Sequence, residues 1–181
     1  MKTIRKLALL ALATVMVEGM SASAFALSIS PGDEVLSGNE TSQAQINLIV
    51  DPYIDPSLLL YKQDVGGAET GSLAGSYTTT FDNTPQDPSE ATITYDGGQY
   101  VGPTAYLLVK DGNNQPAWYL FNLTDLGWDG TETLDLSGFW IGKGGISHVS
   151  LYGQKAPDGG TTVALLGLSM ASLGFARWRF A

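Results

Sequence analysis

The chain has 181 residues, a formal net charge of −9, one histidine and no cysteine. That length suits a single domain. The charge repels nucleic acid, and the composition excludes disulfides, thiol nucleophiles and the usual Cys/His zinc constellations.

Lys2, Arg5 and Lys6 precede an apolar stretch over residues 7–17, and Ala24-Phe25-Ala26 follows as an A-x-A site. This is the pattern of a secretory signal peptide, read over residues 1–26. Signal peptidase is then a processing partner. Ala24 and Ala26 mark the cleavage, Leu27 starts the mature chain, and Ala22-Ser23-Ala24 is a competing site two residues earlier. Residues 27–155 form the expected folded domain. It keeps four lysines against 16 acids, a net charge of −12. Such a surface favours solubility and attracts divalent cations rather than polyanions.

Residues 28–43 read as a loose lead-in with a short edge strand. Ala44-Gln45-Ile46-Asn47-Leu48-Ile49-Val50 begins with apolar/polar alternation, which predicts a strand, broken by Asp51-Pro52 and Asp55-Pro56. Further strands are predicted over 58–62, 72–81, 91–95, 106–110, 118–123, 131–136 and 146–152. Turns rich in Gly, Pro, Asn and Asp separate them. The runs on either side of Asp111-Gly112-Asn113-Asn114 form the best hairpin. No amphipathic helix of ten or more residues is expected between the two ends. Gly and Pro number 30 of 181, as strand punctuation requires. The fold class is therefore all-β, a single β-sandwich or jelly-roll-like domain.

Chemistry-bearing constellations are sparse. His148 lies in a predicted strand. Ser147 points to the opposite face, Ser150 lies on a regular strand, and no G-x-S-x-G elbow exists. His148 thus reads as a hydrogen-bonded sheet residue, and no catalytic residue is assigned. Two loops carry oxygen ligands, Asp82-Asn83-Thr84 with Asp87 and Asp111-Gly112-Asn113-Asn114. Calcium is the one cofactor they would admit, but neither loop matches an EF-hand or nonapeptide repeat, and turn chemistry accounts for both. Trp128 and Trp140 lie in predicted loops or at strand ends, where core filling is the favoured reading and stacking of their flat faces on sugar rings, as glycan contacts, the alternative. Trp118 is placed in the core. Paired carboxylates of a glycoside hydrolase converge only in space.

The last residues have three parts in order. Pro157-Asp158-Gly159-Gly160 forms a polar elbow, residues 161–176 are uncharged and apolar, and Arg177 and Arg179 follow. As a helix the apolar run rises roughly 24 Å, slightly short of a hydrocarbon core of ~30 Å. Trp178 and Phe180 extend it into the interface, and the arginines hold the far end cytoplasmic. Residues 156–181 are thus expected to be a transmembrane tail that leaves the domain outside. This order of elbow, helix and basic end resembles the PEP-CTERM class of C-terminal sorting signals, in its VPDSG-CTERM variant, with Ala156 where that variant usually has Val. The resemblance implies recognition by an exosortase, a membrane-embedded protease of Gram-negative bacteria. It implies cleavage near the elbow and transfer from the inner membrane to the cell surface or exopolysaccharide matrix.

A second resemblance covers roughly a third of the chain. Tyr106-Leu107-Leu108-Val109-Lys110-Asp111-Gly112, Pro116-Ala117-Trp118-Tyr119-Leu120-Phe121 and Ile146-Ser147-His148-Val149-Ser150-Leu151-Tyr152-Gly153 resemble a block found in many exosortase substrates. It implies a β-sandwich without a settled activity. The expectation is an exported, non-enzymatic protein of structural or adhesive role. A carbohydrate-binding module is the first alternative and a surface-tethered hydrolase the second.

Overall fold

A computed structural model describes residues 26–82, 87–112, 114–157, 166–170 and 172. Among the described residues ten strands form two sheets. In chain order they are β1 (Ala26–Ile29), β2 (Leu36–Gly38), β3 (Leu59–Asp64), β4 (Glu69–Thr70), β5 (Tyr77–Phe81), β6 (Ala91–Tyr95), β7 (Val101–Lys110), β8 (Trp118–Asn122), β9 (Thr133–Leu136) and β10 (His148–Lys155). The smaller sheet runs β1-β9-β6-β5 and the larger β2-β8-β7-β10-β3-β4. Every pairing is antiparallel except β1 with β9, where Ala26 lies opposite Thr133 and Ile29 opposite Leu136. The β7–β8 hairpin forms as expected, with Asp111 N–H donating to the Ala117 carbonyl at its mouth.

One apolar cluster joins the two sheets. Ile29, Tyr77, Ile93, Leu134 and Leu136 from the smaller sheet meet Tyr61, Leu107, Val109, Phe121, Val149 and Leu151 from the larger. The Tyr61 and Tyr77 rings approach to 5.6 Å between centroids, and the Tyr61 hydroxyl reaches Thr79 Oγ1 at 2.7 Å. The smaller sheet is buried on this face only. Its other face carries threonines in cross-strand pairs, Thr78 opposite Thr94 and Thr80 opposite Thr92, as alternation in a one-sided antiparallel sheet requires.

The larger sheet is buried on both faces, and here the structure departs from the sequence reading. Residues 44–50 are not a strand. Gln43–Val50 is an α-helix, α1, which with Ile54 covers the outer face. Its buried residues are Ile46 and Val50, spaced i,i+4. They pack on Leu108, Trp118, Leu120 and Tyr152, which point away from the inter-sheet core. Helical rather than strand period therefore decides which apolar residues are buried, and Leu48 remains 78% exposed. A single 3-10 turn at Pro56–Leu58 follows, begun by the Asp55 carboxylate, which accepts from Ser57 N–H and Oγ. Those two bonds hold the Asp55 carboxyl below its usual pKa. The lead-in expected over 28–43 holds the end of β1 and all of β2, each the edge strand of its sheet.

Residues 166–170 and 172 are helical. Ser169 Oγ donates to the Leu166 carbonyl and Ser172 Oγ to the Ser169 carbonyl, both at 2.8 Å. Leu166, Leu168 and Met170 are exposed. Among the described residues no helix is long and apolar enough to cross a membrane.

Candidate functional site

The site residues expected from the sequence fall into three groups. Ala24, Asp158, Gly159, Gly160, Arg177 and Arg179 lie outside the described residues. Ala26 and Pro157 are described and exposed. Ala26 is the first residue of β1, so the expected cleavage, between Ala26 and Leu27, falls within that strand. Pro157 follows β10 by two residues.

Trp128 and Trp140 form the third group, and of the two readings given for them, core filling and glycan contact, their burial matches core filling. They are 6% and 7% exposed. Trp140 Nε1 donates to the Pro116 carbonyl at 2.6 Å, and its ring lies among Tyr119 and Phe139. The residue has φ 45°, a left-handed conformation costly for a large side chain and retained here by its surroundings. Trp128 Nε1 donates to the Glu132 carbonyl at 2.7 Å, and its ring faces Tyr77 at 6.2 Å. Both indoles close the open ends of the inter-sheet core. A loop position marks the rim of a sandwich, and large aromatics at the rim fold inward.

Trp128 nevertheless forms one wall of a cleft of about 420 Å³, with Tyr100, Gly102, Pro103, Asp129, Ala156 and Pro157 among the other walls. This cleft lies at the end of β10, against Ala156 and Pro157. Three segments converge there. The first is the start of β7, where Tyr77 Oη donates to the Gly130 carbonyl at 2.8 Å and accepts from Val101 N–H at 2.9 Å. Burial raises the Tyr77 pKa, so the phenol stays neutral and keeps both roles. The second is the Asp129 loop. Burial works to raise the Asp129 pKa, but hydrogen bonds from Thr131 N–H and Oγ1 and from Glu132 N–H outweigh it and hold the carboxyl ionised below its usual range. The third is the end of β10. Lys155 pairs with Val101, its Nζ donates to the Ser72 carbonyl at 3.2 Å, and Ala156 N–H donates to the Tyr100 carbonyl at 2.8 Å. Ala156 is itself buried.

Two glycines allow this approach. Gly153 has φ 142°, and a Cβ there would stand 2.0 Å from the Thr104 carbonyl oxygen. A Cβ on Gly102 would lie 3.0–3.2 Å from Gln154 O, Ala156 N and Ala156 Cα. A glycine inside a strand marks such close backbone approach. That signal stood in the sequence at Val101-Gly102-Pro103, inside a run whose predicted strand began only at Tyr106.

A second cleft, of about 320 Å³, is lined by Asp87, Asp111, Gly112, Gly145 and Ser147, among others. It brings together one acid from each loop singled out for calcium. The Asp111 carboxylate is engaged by its own turn, accepting from Gly112 N–H and from Asn114 N–H, the latter at 2.9 Å. Among the described residues no three acids or histidines gather as a metal-binding group.

His148 lies in a cross-sheet row between Asp64 and Lys110. Its Nδ1 stands 3.7 Å from Asp64 Oδ1, which Lys62 Nζ already pairs at 2.9 Å. Burial, reinforced by Lys62 and Lys110 and opposed by Asp64, pushes the His148 pKa down to about 4. Ser147 turns the other way and donates to the Lys110 carbonyl at 2.9 Å. The imidazole is thus a neutral group packed into the sheet surface.

No protein-family model, curated protein or solved structure matches the chain.

Proposed function

We propose that the chain is an exported protein of the Gram-negative cell surface or exopolysaccharide matrix, delivered through the inner membrane as an exosortase substrate and non-catalytic in its mature role. Its partners in processing are signal peptidase at Ala24–Ala26 and an exosortase at the C-terminal elbow. The observation that carries the reading is the order of parts. An all-β domain ends at Lys155, and Pro157-Asp158-Gly159-Gly160, an uncharged apolar run and the pair Arg177 and Arg179 follow without a linker. Intact mass of the protein from inner-membrane, surface and medium fractions tests it. A mass starting at Leu27 and ending near Pro157, outside the inner membrane, is expected. A mass that retains residues 161–181, found in the inner membrane alone, overturns it.

The cleft at the tail exit favours a second reading, a carbohydrate-binding module. Tyr100 and Trp128 present aromatic surface there, beside the ionised Asp129 and the Thr124 hydroxyl. On this reading Trp128 remains the glycan contact, and Trp140, enclosed by Tyr119, Phe139 and Pro116, drops out. Retention on the producer's own polysaccharide, lost on Trp128→Ala in a variant that still folds, would favour the module. Equal retention of the variant would remove it.

A further inference from the structure

Because the elbow begins two residues after the last strand, the folded domain holds the chain immediately before it. Proteases take their substrates as extended segments in their own clefts, so a bond whose flanking residues are engaged in a sheet is cut only after local opening. The bonds up to Ala156 meet that condition. Lys155 pairs with Val101, Ala156 is buried and donates to the Tyr100 carbonyl, and the absent side chain of Gly102 lets the Gln154 and Ala156 backbones lie against β7. The Val101 side of this contact is in turn fixed by the buried Tyr77 hydroxyl. Pro157 is the first exposed residue beyond Ala156.

We infer that this contact is a clamp that sets the upstream limit of C-terminal processing. Gly102 and the Tyr100 carbonyl act as positioning groups that deny a protease every bond before Ala156 and present the chain from Pro157 onward. The inference rests on the processing proposed above and adds that the substrate's own fold, as well as its linear signal, selects the cut. It also accounts for a small residue at position 156, since that side chain lies inside the contact.

Lys155 supplies a probe independent of the native enzyme, because trypsin cuts after lysine. The test uses the full chain in detergent, with Gly102→Val to force the strands apart. Gly112→Ala is the control, since a Cβ at Gly112 meets nothing within 4 Å. Wild type and the control should resist cutting at Lys155–Ala156, and Gly102→Val should be cut about tenfold faster or more, as a ~1.4 kcal/mol loss of local stability implies. Should Gly102→Val fail to fold, hydrogen exchange on wild type decides. The Ala156 amide should exchange as slowly as the Val149 amide inside β10, and exchange at the rate of an unstructured chain would overturn the clamp, as would wild-type cutting at Lys155 as fast as in the variant. Mass spectrometry of C-termini from producing cells completes the test. A single end at or beyond Pro157 in wild type, with additional ends before Ala156 in Gly102→Val, is expected. A trimmed wild-type protein whose ends scatter before Ala156 overturns the clamp and leaves the processing reading standing. A tail retained whole, on a protein whose Lys155–Ala156 bond resists trypsin, overturns the processing reading and leaves the clamp as a feature of the fold.

Discussion

Replacing Tyr77 by Phe removes one oxygen from the middle of the molecule and should cost more than its size suggests. The Tyr77 hydroxyl serves two backbone groups at once, the Gly130 carbonyl at 2.8 Å and the Val101 amide at 2.9 Å, and the residue is only 1% exposed. The ring contacts with Tyr61, Tyr95 and Trp128 survive in Phe, so the packing contribution is nearly constant. What remains is two buried backbone groups without partners, each costing ~1–3 kcal/mol. The expected loss is about 2–6 kcal/mol, or a fall in Tm of roughly 10–20 °C for a domain of this size. Tyr61→Phe is the comparison. Its hydroxyl meets Thr79 Oγ1, a rotatable side-chain group that is only partly buried, so about 1 kcal/mol is expected. Urea titration of both variants, followed by tryptophan fluorescence, measures the difference. If Tyr77→Phe falls within about 0.5 kcal/mol of wild type, or below Tyr61→Phe, the hydroxyl is not the tie between β7 and the Asp129 loop, and this account of the exit region fails.

Two further outcomes follow from burial. Ile46→Ala should cost ~2–5 kcal/mol because the side chain is fully enclosed under α1, whereas Leu48→Ala should stay within about 0.5 kcal/mol. A strand would place both residues on one face and make the two losses similar, so equal losses in a denaturant series refute the helix. His148 makes stability depend on pH. The unfolded chain takes up the proton near pH 6.5, while the folded chain resists until about 4, so acidification favours unfolding across that window and the effect levels off below it. At 1.36 kcal/mol per unit the loss is ~3 kcal/mol. Lys62, Asp64 and Lys110 face the imidazole, so the difference between wild type and His148→Asn is the quantity to read. Denaturant midpoints at pH 7 and pH 4.5 that move equally in both proteins would show that His148 is not the group responsible.

The all-β class was legible because turns of Gly, Pro, Asn and Asp divide short β-rich runs, and the β7–β8 hairpin was legible because its loop chemistry is local. The helix was not. Ala44-Gln45-Ile46-Asn47-Leu48 satisfies a period of two, while Ile46 and Val50, with Ser42 before and Pro52 after, satisfy a helix equally well. The tie is broken elsewhere in the chain. Runs such as Leu107-Leu108-Val109 and Trp118-Tyr119-Leu120-Phe121 are apolar on both faces, which one inter-sheet core cannot use. The outer face needed a cover, and the segment beside it that could supply one had to be read as amphipathic in three dimensions.

The same contrast separates the two halves of the candidate site. The proposed sorting signal is a linear pattern of elbow, apolar run and basic end, and it is read from the sequence alone. The clamp is legible only after folding, because Tyr77, Gly102 and Ala156 are far apart in sequence and are brought together by the pairing of β7 with β10 and by the Tyr77 hydroxyl, which reaches Val101 from the other sheet. A glycine in an apolar run indicated that some backbone passes close by, but not which one. In the fold that backbone is the one leading into the elbow. A sorting tail attached to a flexible linker would leave the position of the cut to the signal alone. Here the elbow begins two residues after β10, so on the proposed processing the stability of the last strand and the choice of the cut would be a single property. Substitutions that loosen the Val101–Lys155 pairing should therefore change where the mature protein ends before they change whether it folds.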